Sequence, residues 1–366
     1  MVAMRRSFIL ALATIVFVGC VKDMTNDVAV GLGGKRYYAT IAPIESRVQL
    51  NSQKQTVWNT GDEIVIFTPD NTIQIASFDG KTGDRDGSFT TTKSYTLSND
   101  AGLTASYAVY ASNATALQLM GWANGMIAPM VRIPATQNYL ENSYASNVNV
   151  MIGTTTDNTN FTFKNVLGYL RLGITGDKEV RAIHIESNGG EALSGEIVLR
   201  LDDIGYFIYY QNVASRITLD CSQGVQLSDT PTYFYIATAP INLSQGFTVV
   251  IDFADGTQFS QSTDTAINIE RNYIHPMSTL KTNYSDEEFK RVLVYHTAKS
   301  FVTPLVEAMN GSIDWGDGTV SMLKEFTSYD YFDSATSHTI TIKVLEPESV
   351  IIPSMKGVTK LDFSNF

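Results

Sequence analysis

From Phe161 to Leu199 the chain alternates apolar and polar positions with a period of two. Phe161 and Phe163 flank Thr162, and Leu170, Leu172 and Ile174 alternate with Arg171, Gly173 and Thr175. Ile183 and Ile185 flank His184, which puts the two isoleucines on one face and His184 with Val180 and Glu186 on the other. A period of two is that of a half-buried strand. Gly176-Asp177 and Gly189-Gly190 stand where the chain reverses. The stretch therefore predicts three strands with His184 at an exposed position, Phe163 and Leu170 as core residues, and Phe161 as the start of a new β-domain.

The same text surrounds it. Upstream, strands are predicted at Arg36–Ile41, Arg47–Leu50, Ile64–Phe67 and Tyr107–Tyr110, with Trp58 packing at a strand end. Turns are expected at Asp79-Gly80 and Asp86-Gly87, and Met120–Met130 reads as an apolar loop. Downstream, Ala192–Leu199 (interrupted by Gly195), Tyr206–Tyr210, Arg216–Leu219, Thr232–Ala237 and Phe247–Phe253 follow at short, regular spacing. Many short strands with turn residues between them indicate sandwiches or barrels. Asp286–Tyr295 reads either as a short helix or as the lead into a strand. After Thr282 the text turns charged and then resumes with Ile313–Thr319 as a tight turn and Ser337–Val344 as a clean alternation.

Composition agrees. The 366 residues include 18 Tyr and 18 Phe, and 44% hydrophobic content supplies more than one core. The organisation expected is all-β: a leader at 1–19, a tether at 20–35, β-sandwiches at 36–160 and 161–282, and a small β-domain at 283–366. A formal charge of −11 without a basic run argues against nucleic-acid binding.

The N-terminus carries an address. Arg5 and Arg6 precede the uncharged run Phe8–Val18, whose 11 residues are too few to cross about 30 Å of hydrocarbon as a helix. This is a signal peptide. Gly19-Cys20 behind it resembles a bacterial lipoprotein cleavage site, with Phe17 where Leu is more usual; acylation of Cys20 is one reading and an incidental cysteine the other. With Cys20 acylated, Cys221 has no disulfide partner and is expected to be a small buried hydrophobe.

Candidate chemistry is sparse. His184, His275, His296 and His338 have no zinc-ligand spacing, so no metal or other cofactor is expected. Asp314 with Asp317, and Asp252 with Asp255, fall short of a calcium loop and are better read as turn residues. Trp122 with Met120 and Met126 offers a possible ligand surface, or a loop packed over the fold. No triad, acid/base pair or phosphate-cradling loop marks an enzyme.

Several motifs in order resemble one family. They are Arg47-Val, Trp58-Asn-Thr-Gly61-Asp62-Glu-Ile64-Val-Ile66-Phe67, Tyr107-Ala-Val-Tyr110, Pro134-Ala-Thr-Gln137, Phe163-Lys-Asn165-Val-Leu-Gly-Tyr-Leu170, Leu193-Ser-Gly195, Ala239-Pro240, Gln245-Gly246-Phe247-Thr-Val249 and Arg271-Asn272-Tyr273. Across residues 36–282 they are similar to fimbrillin-like proteins, the surface lipoproteins that build type V (Fim/Mfa) fimbriae of Gram-negative bacteria. The resemblance implies two tandem transthyretin-like β-sandwich domains, export as an outer-membrane lipoprotein, and partnership with other fimbrial subunits. In polymerising members a protease cuts after a basic N-terminal residue, and another subunit's strand fills the groove so opened. Arg47 best matches that cut; in uncleaved anchor-type members it is a strand residue. Asp314-Trp315-Gly316-Asp317-Gly318-Thr319 with His338 resembles a PKD-type immunoglobulin-like module, which favours a tip or accessory subunit acting in adhesion, with a host glycan or protein as possible ligand. A non-polymerising glycan-binding lipoprotein is the alternative.

Overall fold

The computed structural model describes residues 13–15, 34–46, 56–96, 103–112, 118–121, 127–145, 148–199, 207–285, 287–322 and 328–366. They form strands β1 to β31, numbered along the chain, and no α-helix. The fold is all-β.

The first unit is a closed barrel rather than the two open sheets expected. Its order is β11 (Val150–Thr154), β12 (Asn160–Asn165), β2 (Arg36–Ile41), β6 (Asp86–Thr96), β5 (Thr72–Phe78), β4 (Glu63–Phe67) and β7 (Tyr107–Ala111), and β7 returns to pair with β11. Tyr37, Ile41, Trp58, Ile64, Ile66, Phe89, Tyr110, Phe161 and Phe163 fill it. Trp58 is fully buried, edge-on to Phe89 at 4.9 Å, Tyr110 at 5.3 Å and Phe163 at 5.2 Å. Closure leaves no sheet edge. Two expectations change here. Asp86-Gly87 lies inside β6 rather than at a turn. Phe161 and Phe163, expected to open the next domain, belong to the barrel through β12.

The barrel's outer wall is also covered, which explains why Tyr107–Tyr110 reads as an unbroken buried run instead of an alternation. Phe67, Val109 and Ile152 on that wall pack with Val131, Ile197, Leu199, Tyr169 and Ile274 in one core. Those partners come from two sheets. One has the order β1 (Ala13–Ile15), β8 (Gln118–Gly121), β9 (Ile127–Ile133), β15 (Ser194–Leu199) and β16 (Phe207–Ala214). Of the Met120–Met130 region, expected as a loop, Met120–Gly121 and Ile127–Met130 are paired strands, residues 122–126 lie outside the described residues, and Met130 is buried. Gly195 takes φ 136°, where an added Cβ would stand 3.0 Å from the Val213 backbone, so the bulge between β15 and β16 requires glycine.

The second sheet contacting the barrel, β18 (Thr232–Thr238), β13 (Gly168–Thr175), β23 (Tyr273–Pro276) and β3 (Glu45–Ser46), with β24 (Leu280–Lys281) also on β13, turns its other face to a third. That third sheet is β10 (Thr136–Asn138), β17 (Arg216–Gln226), β14 (Glu179–Ser187), β20 (Phe247–Phe253) and β21 (Gln258–Thr263). Leu170, Leu172, Ile174, Phe234 and Ile236 interdigitate with Ile183, Ile185, Leu219, Val249 and Ile251, a true sandwich core. β19 (Ile241–Leu243) and β22 (Ile267–Ile269) pair beside it. Cys221 is buried here, and burial pushes its thiol up to about 12, so it is inert as a nucleophile.

Two readings of β14 are corrected. A bulge between Val180 and Ala182 shifts the register and lets Val180 enter the core. His184 is nearly buried, not exposed, because β14 is the central strand and both neighbours cover it. Its Nδ1 meets Thr218 Oγ1 at 2.9 Å and its Nε2 meets Asp252 Oδ2 at 3.0 Å.

The third unit is a five-stranded sheet, β28 (Val320–Met322), β27 (Leu305–Asp314), β30 (His338–Ile351), β25 (Phe289–His296) and β31 (Val358–Asn365), with the small pair β26 (Ser300–Phe301) and β29 (Tyr329–Asp330). The ambiguous Asp286–Tyr295 segment resolves as strand β25 from Phe289 onward. Val292, Val294, Ile313, Trp315, Ile340 and Ile342 form its core. Trp315 Nε1 donates to Ser321 Oγ at 2.9 Å, and Tyr329 stacks on the indole at 4.3 Å.

His296 and His338 face each other across β25 and β30, both buried. Burial, aided by the neighbouring His338, lowers the His296 pKa below its usual 6.5. The unfolded chain therefore takes up a proton at His296 before the folded unit does. Stability of the third unit is expected to fall as pH drops below about 6.5, the unfolded value, and to level off below the folded one. Denaturant midpoints across this range, compared with His296→Phe, check the sign: the variant should lose that part of the pH dependence.

Candidate functional site

The N-terminal segment from Arg36 to Ser46 supplies strands to both β-units. Its sequence alternates, Tyr37, Ala39 and Ile41 pointing into the barrel while Arg36 and Tyr38 face out. β2 lies between two strands of different sense: antiparallel to β6, from Arg36 opposite Thr90 to Thr40 opposite Asp86, and parallel to β12, from Tyr38 beside Asn160 to Ile41 beside Phe163. Tyr37 donates its hydroxyl to Gln74 Oε1 at 2.6 Å, and its burial raises the phenol pKa. Parallel pairing is the weaker of the two per residue.

Beyond Ile41 the segment leaves the barrel and joins the sandwich. Ala42 N donates to Phe163 O at 2.8 Å. Asn272 then acts as a clasp: its Nδ2 donates to Pro43 O at 3.1 Å while its Oδ1 accepts from Asn165 N at 3.2 Å. Asn272 reaches both from a left-handed backbone at φ 55°, a conformation that asparagine tolerates better than most residues. Beside it Arg271 Nε donates to Asn165 O at 3.0 Å. Glu45 and Ser46 finally pair in parallel with Tyr273 and Ile274. Eleven consecutive residues, 36–46, thus supply an inner strand to one unit and an edge strand to the next. Taking the segment away would leave unpaired rows of N–H and C=O groups on β6 and β12 and a free edge at β23, the arrangement that accepts an added strand.

The expected site residues fare differently. Arg47, directly after β3, lies outside the described residues, as do Cys20, Trp122 and Met126. Met120 is in β8, between β1 and β9. Asp314, Asp317 and Asp255 act at turns, whereas Asp252, expected as a turn residue, lies in β20 and bonds across to neighbouring strands. Asp314 Oδ1 accepts from Gly316 N, and Asp317 accepts from Thr319 N and the Tyr329 hydroxyl. Asp255 binds Thr257 and Lys178, and Asp252 holds His184 and Gln258. Among the described residues no three His, Cys, Asp or Glu side chains gather as a metal site. The dual pairing of residues 36–46 was not anticipated from sequence. Its available signal was Arg271-Asn272-Tyr273, where an asparagine between larger residues marks a left-handed turn.

No protein-family model matches the sequence, and no curated protein matches it. Solved structures do. A "putative cell adhesion protein" from Bacteroides ovatus aligns over 82% of this chain and 98% of its own, at 10% identity and a TM-score of 0.43. Another from Bacteroides uniformis aligns over 69% and 93%, at 14% identity and a TM-score of 0.40. A fimbrial protein from Bacteroides ovatus aligns over 82% of this chain and 55% of its own, at 12% identity and a TM-score of 0.28. These three solved structures, to which the chain is similar in fold, carry the descriptions "putative cell adhesion protein" and "fimbrial protein".

Proposed function

We propose that the chain is a fimbrial subunit of tip or accessory kind, exported as an outer-membrane lipoprotein on Cys20, with the leader and so the edge strand β1 removed, and assembled by strand addition. The observation that carries this reading is the seating of residues 36–46 through both β-units, immediately before Arg47. A cut after Arg47 frees that segment, and a strand from another subunit replaces it between β6 and β12 and along β23. In this reading the barrel and the sandwich correspond to the two transthyretin-like domains, and the third unit is the PKD-like module. Exposed apolar side chains on the third unit, among them Phe332 and Leu305, support its reading as the contact-making end.

Electron microscopy of fibres from cells producing the chain or its Arg47→Ala variant tests this. The unaltered chain is expected in fibres and the variant only as a surface monomer. A chain that never enters fibres, or a variant that enters equally, contradicts the proposal.

A further inference from the structure

Between the sandwich and the third unit lies a cavity of about 890 Å³, within the range of roughly 300–1,000 Å³ typical of small-ligand sites. The turn joining β20 and β21 forms one wall, the linker Thr282–Ser285 another, and the outer face of the third unit's sheet, at Ser312 and Lys343, the third. Neither unit alone builds it.

Its lining narrows the ligand. Tyr284 of the linker lies nearly parallel to Phe259 (14°, 6.3 Å between ring centres) and edge-on to Phe289 at 6.2 Å. The result is an aromatic wall. The cations are engaged within the protein: Lys178 is 2.9 Å from Asp255 and 5.3 Å above the Phe253 ring, and Lys343 sits 4.3 Å above Phe289. The neutral groups are different. Among the described residues, the Asn283 amide and the Ser312 hydroxyl find no hydrogen-bonding partner, and they face the cavity from opposite sides. A purely apolar ligand would desolvate these groups without replacing their bonds to water, which costs free energy. An anionic ligand would have to draw Lys178 away from Asp255. A neutral polyhydroxylated ligand with an apolar face satisfies the wall, the amide and the hydroxyl together.

We propose that this cavity is a binding site for a short neutral oligosaccharide, which Tyr284 stacks against while Asn283 and Ser312 hydrogen-bond its hydroxyls. The site is independent of strand exchange at residues 36–46, so it stands whether or not the chain polymerises.

The test is calorimetric titration of the full mature chain with neutral tri- and tetrasaccharides of glucose, galactose, mannose and N-acetylglucosamine, with sialyllactose in parallel. At least one neutral sugar is expected to bind saturably in the millimolar range or tighter. Asn283→Ala and Ser312→Ala should each weaken it about five- to tenfold, the effect of one lost hydrogen bond. Tyr284→Ala should weaken it further. Both polar positions are only partly buried, so these variants fold even if Tyr284→Ala does not, and thermal unfolding verifies that. The proposal is overturned if no neutral sugar binds the folded chain, if only the sialylated sugar binds, or if the Asn283 and Ser312 variants bind as tightly as the parent.

Discussion

A chain cut after Arg47 and stripped of its N-terminal segment is expected to lose the cooperative unfolding of its barrel. Tyr37, Ala39 and Ile41 are all buried on β2, and withdrawing two large side chains and one small one from a core removes on the order of 5 kcal/mol. Domain stabilities are typically about 5–15 kcal/mol, so the loss is comparable to the whole. Unpaired backbone on β6 and β12 adds to it. Thermal unfolding of the stripped chain should show the barrel transition lost or displaced far downward, with the third unit's transition in place. A synthetic peptide spanning residues 36–46, added in excess, should restore it, because a ligand that binds only the folded state stabilises by mass action. An unchanged barrel transition after removal would show that β2 is dispensable, and strand exchange would lose its physical basis.

Trp58→Ala is the second large effect. The indole fills the barrel among Phe78, Phe89, Tyr110 and Phe163, and its truncation leaves a cavity that the surrounding strands, closed on themselves, are poorly placed to collapse. The expected cost is about 3–5 kcal/mol, read as a lower denaturant midpoint for the barrel with an unchanged slope. A shift worth less than about 0.5 kcal/mol, the range of an ordinary surface change, would mean that the barrel interior is not organised around this ring. Trp58 and Tyr37 also belong to one core, so the variant should release the N-terminal segment more readily once the chain is cut.

Much of this was legible in the alternation of residues. Leu170–Ile174 and Ile183–Ile185 face the sandwich core as their period requires, and Phe163 is a core residue. What stayed hidden depends on pairing between distant segments. Phe161 and Thr162 read as a strand under any assignment, but the sheet that receives it is decided by its partners, Met151 to Thr154 just upstream and Tyr38 to Ile41 over a hundred residues upstream. The same holds for His184: its period put it opposite the core, correctly, yet exposure depended on Thr218 and Asp252 from strands far along the chain. Val180 was misassigned because one bulge inverts the alternation of every residue before it. The candidate site was legible only in part. The basic residue at 47 was visible in the sequence, whereas the threading of residues 36–46 through two units is a property of long-range parallel pairing that no local pattern encodes.

The most direct measurement is the N-terminal sequence of the mature protein, purified from native membranes and from sheared surface fibres. Strand exchange predicts that the fibre form begins at Val48, with residues 36–46 absent and a strand of another subunit in their place. A mature protein that keeps an acylated Cys20, retains residues 36–46 and is missing from fibres would contradict the account.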